Sequence, residues 1–218
     1  MSKIVVLMGA PGAGKGTQAR LLEERLGVPQ ISTGDMFRAL KEERTPLAEE
    51  VQAIMKSGKL VPDDVTIRVV RERTGREDAK HGYILDGFPR TAAQAAMLEK
   101  LAVEQGKRIL PILIDVPFDV LEKRTTGRRI CPVCGEIYNV YLKPPKEDNV
   151  CDLHPEAQLT HRADDTPEKT QVRLKTYEEQ TRPLLDYYSA NNLLHRVDGT
   201  RDPEEIYADI EKIVTGNR

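Results

Sequence analysis

The sequence predicts an α/β fold, a parallel sheet flanked by helices, with two inserted lobes. Three observations carry this: short apolar runs alternate with longer amphipathic stretches, a glycine-rich loop closes the first run, and residues 128–165 break the rhythm. Strands covered by helices on both faces read as continuous apolar runs, which is what these runs are. A chain of 218 residues has room for one core with insertions and not for two full-sized domains.

The first predicted strand, residues 4–8, runs into GAPGAGKGT at 9–17 and then into a helical stretch over 18–26. In that order, glycines let backbone N–H groups converge on phosphates, Lys15 adds a positive charge, and the helix N-terminus adds its dipole. The common pattern G-x-x-x-x-G-K-[ST] fails at its last position, where Gly16 stands and Thr17 follows. A glycine turn with no ligand is the plain alternative, and the alignment of strand, lysine and helix argues against it.

Residues 32–61 follow, with two helical segments and no strong strand. Ser32 to Asp35 reads as one helix start and Thr45-Pro46 as another. Three further strands are predicted at 83–85, 109–114 and 193–197, the first of them ending at Asp86. Thr166-Pro167 and Asp202-Pro203 each set an N-cap before proline at the first helical position, and Asp202 with Glu205 fits a capping box. Residues 128–165 hold proline pairs, short β-like runs such as 137–142, and every cysteine of the chain.

Composition excludes several function classes. A formal net charge of -2 leaves no global basic excess for sequence-independent nucleic-acid binding, so any anion site must be built locally. The opening apolar run is too short for a signal peptide or a membrane span, and the run at 109–116 contains Pro111 and Asp115. The chain therefore reads as cytoplasmic, with neither a membrane nor a nucleic acid as partner. A guanine-reading N-K-x-D is absent from the sequence.

Cys131, Cys134, Cys151 and His154 form C-x2-C-x16-C-x2-H. Three cysteines make a poor disulfide framework in a reducing compartment, whereas two paired turns can close a tetrahedral zinc site with no position left for water. A redox pair would account for Cys131 and Cys134 and leave the other two unexplained. Asp152 and His161 are rival fourth ligands that do not keep the two-residue interval. A zinc ribbon that binds nucleic acid is the competing reading of the motif. The net charge and the scarcity of aromatics, seven Tyr and three Phe, speak against it.

Together with the glycine loop, ISTGDMFR at 31–38, DGFPRT at 86–91, RTTGRR at 124–129, RADD at 162–165 and VDGT at 197–200 resemble the adenylate kinase family of the long-lid bacterial type. The blocks span essentially the whole chain in that family's order. The resemblance implies a P-loop nucleoside triphosphate hydrolase-like core with a five-stranded parallel sheet, formed by residues 1–31, 62–127 and 165–218. It implies an AMP-binding lobe at 32–61 and a lid with a metal knuckle at 128–164. The activity implied is reversible conversion of ATP and AMP to two ADP, with magnesium, in a monomer.

Residue by residue, the resemblance puts ATP on Gly12, Ala13, Gly14, Lys15, Gly16 and Thr17, and on Arg124, Arg128, Ile137, Tyr138 and Arg201. It puts AMP against Thr33, Arg38, Lys59, Leu60 and Val61, against Gly87, Phe88, Pro89, Arg90 and Gln94, and near Arg162 and Arg173. One departure is Asn139, where the family often has histidine; its contact to a ribose or phosphate oxygen stays open. Kinases acting on UMP or CMP are the nearest alternative, and a zinc-ribbon nucleic-acid ATPase the more distant one.

The residues suit this chemistry. Phosphoryl transfer passes through a loose transition state with charge spread over its oxygens, so the protein mainly positions reactants and neutralises charge. Lys15, Arg90, Arg124, Arg128, Arg162 and Arg173 are the expected catalytic cations, with Arg38 beside them, because guanidinium groups grip phosphate oxygens bidentately. A phosphate acceptor needs no general base. Asp86 is the first candidate to hold magnesium through its water shell, with Asp35 and Asp115 as alternatives. Gln94 also fits the far half of a capping box opened by Thr91. Arg129 with Asp164 and Asp165 reads as a hinge ion pair, and Arg71, Arg73 and Arg76 as a solvated helix face.

Overall fold

Strand β1 (Lys3–Met8) lies at the middle of a five-stranded parallel sheet of order β2-β3-β1-β4-β9, in a computed structural model that describes residues 2–40, 45–57 and 59–216. Its neighbours are β3 (Gly82–Asp86) and β4 (Arg108–Asp115), with β2 (Gln30–Ser32) and β9 (His195–Asp198) at the edges. The side chains of β1 alternate between two cores. Ile4, Val6 and Met8 join one cluster with Tyr83, Leu98 and Tyr188, while Val5 and Leu7 join another with Leu22, Ile112 and Ile210. Both faces of the strand are dry, which explains its unbroken apolar run.

The first cluster is closed by α4 (Asp63–Thr74), α5 (Ala92–Glu104) and α8 (Pro183–Ala190). The second is closed by α1 (Lys15–Leu26), α6 (Phe118–Thr126), α7 (Pro167–Thr176) and α9 (Pro203–Thr215). Three caps form as the sequence predicts: Ser32 accepts from the Asp35 N–H, Thr45 from the Ala48 N–H and Thr166 from the Lys169 N–H. Asp202 instead accepts from Glu204 N–H, one residue nearer than a capping box requires. Strand β2 escapes sequence reading because it is only three residues long and lies at an edge. The last strand begins at His195 and not at 193.

Beyond the sheet, α2 (Thr33–Ala39) and α3 (Pro46–Lys56) pack a small core of Phe37, Val51 and Val61. Residues 41–44 and 58 of the expected AMP lobe lie outside the described residues. A second satellite core, of Cys131, Tyr138, Cys151, Ala157 and Leu159, holds β5 (Arg128–Ile130), β6 (Ile137–Asn139), β7 (Val150–Cys151) and β8 (His154–Gln158). The expected β-like run 137–142 stops at Asn139, whose Oδ1 accepts from the N–H groups of Tyr141 and Leu142 and turns the chain. Among the described residues no helix is long and apolar enough to cross a membrane.

Candidate active site and metal centre

The glycine loop joins β1 to α1 at the edge of a cavity of about 980 Å³. Gly12 and Gly14 have φ of 88° and 99°, a left-handed backbone that L side chains rarely adopt. Gly12 also has no room for one, since a Cβ there would lie 2.7 Å from Thr125 Oγ1 and 2.8 Å from the Leu121 carbonyl. Lys15 Nζ donates to the carbonyls of Gly9 and Ala10 at 2.8 and 3.0 Å. Burial pushes its pKa down to about 8; Asp86 opposes the shift, and Arg90, Arg173 and Arg128 add to it.

On the other side of the cavity, α2 begins under a Ser32 cap and buries Thr33, whose hydroxyl donates to the Gly87 carbonyl at 3.0 Å. Arg90 Nε donates to the same carbonyl at 2.7 Å. Gly87, with φ of 83°, leaves space for both groups: a Cβ there would sit 2.7 Å from Arg90 Nη2 and 2.8 Å from Thr33 Oγ1. Arg38 pairs with Asp35, and Arg162 reaches the same carboxylate at 3.5 Å. Lys59, Leu60, Val61 and Gln94 complete this wall.

Between the two sides stand the arginines. Arg124 donates to the Gly199 carbonyl at 2.7 Å. Arg128 grips Asp165 with two hydrogen bonds of 2.6 and 2.8 Å, and Arg173 donates to Asp165 at 2.7 Å. Burial lowers the pKa of Arg90, with Arg173 adding to the shift, and burial lowers that of Arg162, with Arg128 and Arg38 adding. Cations that face one another in a partly desolvated space form a site for a polyanion.

Most residues expected to touch nucleotide line this one cavity, including Gly12, Gly14, Lys15, Gly16, Thr17, Ile137, Tyr138 and Arg201. Arg201 also pairs with Asp209 on α9. Ala13 and Phe88 are buried in the cores, and Phe88 with Pro89 borders a separate small pocket of about 70 Å³. Of the candidate magnesium carboxylates, Asp86 and Asp35 border the main cavity. Asp115 does not, and it pairs with Arg196 on β9.

One open point is narrowed and two expectations are corrected. Asn139 borders the cavity, but its Nδ2 donates to the carbonyls of Lys123 and Arg124, so its amide fastens β6 to the end of α6. In the hinge cluster, the partners of Asp165 are Arg128 and Arg173, while Arg129 donates to the carbonyls of Thr126 and Arg128. Arg129 lies next to Arg128 on a strand and so points away from it, which puts it out of reach of Asp165. Gln94 closes only half a capping box: its N–H donates to Thr91 Oγ1, but its Oε1 accepts from Arg90 N–H and not from Thr91 N–H. As expected, Arg71, Arg73 and Arg76 are taken up by surface pairs with Glu104, Asp78 and Glu72.

Sequence reading missed a contact across the cavity. Arg20 on α1 pairs at 2.8 Å with Glu136, which also accepts from Lys143 at 2.6 Å. The lysine and arginine hold the Glu136 carboxyl below its usual range, against the effect of burial. No local spacing signals a pair separated by 116 positions.

Away from the phosphate loop, one ligand atom each from Cys131, Cys134, Cys151 and His154 lies within 4.8 Å of the others. Cys134 Sγ and Cys151 Sγ are 3.8 Å apart, and Cys151 Sγ is 3.9 Å from His154 Nδ1. Tetrahedral zinc with thiolate bonds near 2.3 Å requires sulfur separations of roughly 3.7 Å, so the cluster fits that ion; a disulfide, at about 2.05 Å, is not formed. Asp152 and His161 are not in the cluster. Tyr138 connects the two sites: it borders the cavity, while its hydroxyl lies 3.6 Å from Cys151 Sγ and accepts from Asp152 N–H.

Comparison with known proteins agrees with this geometry. The sequence profile of the family described as Adenylate kinase matches residues 7–193. The adenylate kinase of Bacillus subtilis (strain 168) is 49% identical over 213 residues, 97% of this chain and 98% of that protein. That of Thermodesulfovibrio yellowstonii is 49% identical over 207 residues, covering 94% and 96%. That of Clostridium tetani is 44% identical over 211 residues, covering 96% and 97%. A match of this extent, on a chain whose loop, arginines and cysteine cluster meet in the manner described, makes the protein a member of the adenylate kinase family.

Proposed function

We propose that this chain moves the terminal phosphoryl group of ATP reversibly to AMP, giving two ADP. The observation that carries the reading is the single cavity with the glycine loop on one side, the Thr33, Gly87 and Arg90 wall on the other, and arginines between. The ATP phosphates would lie on the N–H groups of the loop and the N-terminus of α1, with Lys15 leaving the carbonyls of Gly9 and Ala10 to meet them. The AMP phosphate would take Arg38, Arg90 and Arg173. Arg124, Arg128 and Arg162 would offset the charge that spreads over the transferred group.

The phosphate of AMP is already an anion and attacks without losing a proton to the protein. Closure over the site excludes water, which would otherwise accept the phosphoryl group. Asp86 Oδ2 would lie 3.6 Å from a Cβ on Gly16, close enough to the loop to hold magnesium through its water shell. When bound, that ion neutralises charge on the phosphate oxygens.

This reading also assigns residues 32–61 to AMP binding and 128–164 to a lid braced by structural zinc on Cys131, Cys134, Cys151 and His154. The protein works as a cytoplasmic monomer. The test is a coupled assay of the purified chain with ATP and, in turn, AMP, CMP, UMP and GMP. Formation of ADP from ATP and AMP without any polymer is expected; a stronger response to UMP or CMP would move the assignment to a pyrimidine nucleotide kinase.

A further inference from the structure

Gln94 is 2% exposed and lies where α5 begins, at the edge of the cavity. A glutamine amide has one end that donates and one that accepts, and its shape alone does not say which is which. Here the partners decide. Gln94 Nε2 donates to Asp63 Oδ1 at 2.6 Å, and Gln94 Oε1 accepts from the Arg90 N–H at 2.8 Å. The other oxygen of Asp63 accepts from the Thr91 hydroxyl at 3.1 Å, which holds the carboxylate in place. A carboxylate only accepts and a backbone N–H only donates, so a flipped amide would set oxygen against oxygen and N–H against N–H.

We infer that Asp63 is a specificity-determining positioning residue, which fixes the hand of the Gln94 amide and through it the hydrogen-bonding order of the base accepted. The inference rests on the acceptor-side reading of Gln94 given above. After its two internal bonds, the amide keeps one N–H on Nε2 and one lone pair on Oε1. Adenine offers an amine donor beside a ring-nitrogen acceptor, which fits that pair. Hypoxanthine and guanine offer a carbonyl beside a ring N–H, the reverse order, and so does uracil. Cytosine shares adenine's order, so the size of the pocket and not the amide must separate CMP from AMP. Asp63 is the one of the two clamps that a side-chain change can remove, since the other is main chain.

The experiment compares kcat/KM for AMP and for IMP, whose base differs at this edge only in the order of donor and acceptor, in the wild type and Asp63→Ala, because an asparagine could still offer its carbonyl to Gln94 and its amine to the Thr91 hydroxyl. The expected result is a fall in the AMP-over-IMP ratio of about fivefold or more, with KM for ATP unchanged. In a Gln94→Leu background the same substitution should leave the ratio unmoved. Asp63→Leu, which removes the acceptor and fills the space better, serves if the alanine variant does not unfold cooperatively. A folded Asp63 variant that loses both acceptors equally, with the ratio kept, overturns the inference and leaves the kinase reading standing. A wild-type chain that makes no ADP from ATP and AMP overturns the kinase reading itself, and the inference with it.

Discussion

The cysteine knuckle is drawn from one short stretch of chain and the phosphate cavity from segments spread along all of it, and the two are also opposite in kind. In the knuckle, four ligand atoms turn toward one another at separations suited to a single ion, with no space between them for a substrate. Around the cavity, like charges face one another across space, and Lys15 is left bonding to the carbonyls of its own loop. The first region turns all its ligand atoms inward and, with an ion bound, would brace the segment that carries it. The second is incomplete without anions. Chemistry belongs in the incomplete one, and perturbing each region should move a different observable.

The largest effect tests the cavity. Lys15→Ala or Arg90→Ala should lower turnover at least about a hundredfold while thermal unfolding stays close to wild type. Near-normal turnover in either variant, in a coupled assay, would break the contrast at its centre. The converse test is Cys134→Ser: metal content and melting temperature should fall, with turnover at moderate temperature changing far less. A loss of even 2 kcal/mol would shift the melting temperature by about 4–8 °C in a chain of this size. Metal analysis and calorimetry read this out, and unchanged metal content would show that the knuckle is not the ion's site.

The Arg20–Glu136 pair spans both regions and sharpens the comparison. Its side chains are 27% and 19% exposed, so a modest worth of about 0.5–1 kcal/mol is expected. Glu136→Gln should raise KM for ATP about two- to fivefold, and the difference should shrink in high salt. Metal content should not change.

The smallest signal is a proton. Burial lowers the Lys15 pKa from 10.5 to about 8, so between those values the unfolded chain binds more protons than the folded one. Stability of the ligand-free protein therefore rises with pH across that window from this group, and the cost is fully present below about pH 8. Bound phosphates restore the charged form. Nucleotide binding near pH 8 should take up roughly half a proton, seen as a buffer-dependent binding heat, and Lys15→Met should abolish it.

Much of this was legible in the sequence because it is local. β1, β3 and β4 are dry on both faces and read as apolar runs, and the glycine loop and the cysteine spacing each lie within a short stretch. What was not legible depends on distant partners. Arg128 meets Asp165 across 37 positions and Gln94 meets Asp63 across 31. Asn139 has the chemistry to serve a nucleotide, and only the nearby end of α6, 15 and 16 positions back, shows that its amide is already engaged. Edge strand β2 was lost for a different reason, its length.

Asp165 is fully buried, and a single oxygen of it, Oδ1, accepts from both Arg128 at the root of β5 and Arg173 on α7. If residues 128–164 move as the proposed lid, that oxygen would be its fulcrum. A lid turning about it would carry Glu136 and Ile137 through a wide arc while Arg128, close to the pivot, hardly moves. The cation nearest the hinge would then stand in place in every position of the lid, and only the far contacts would have to be made and broken on each turnover.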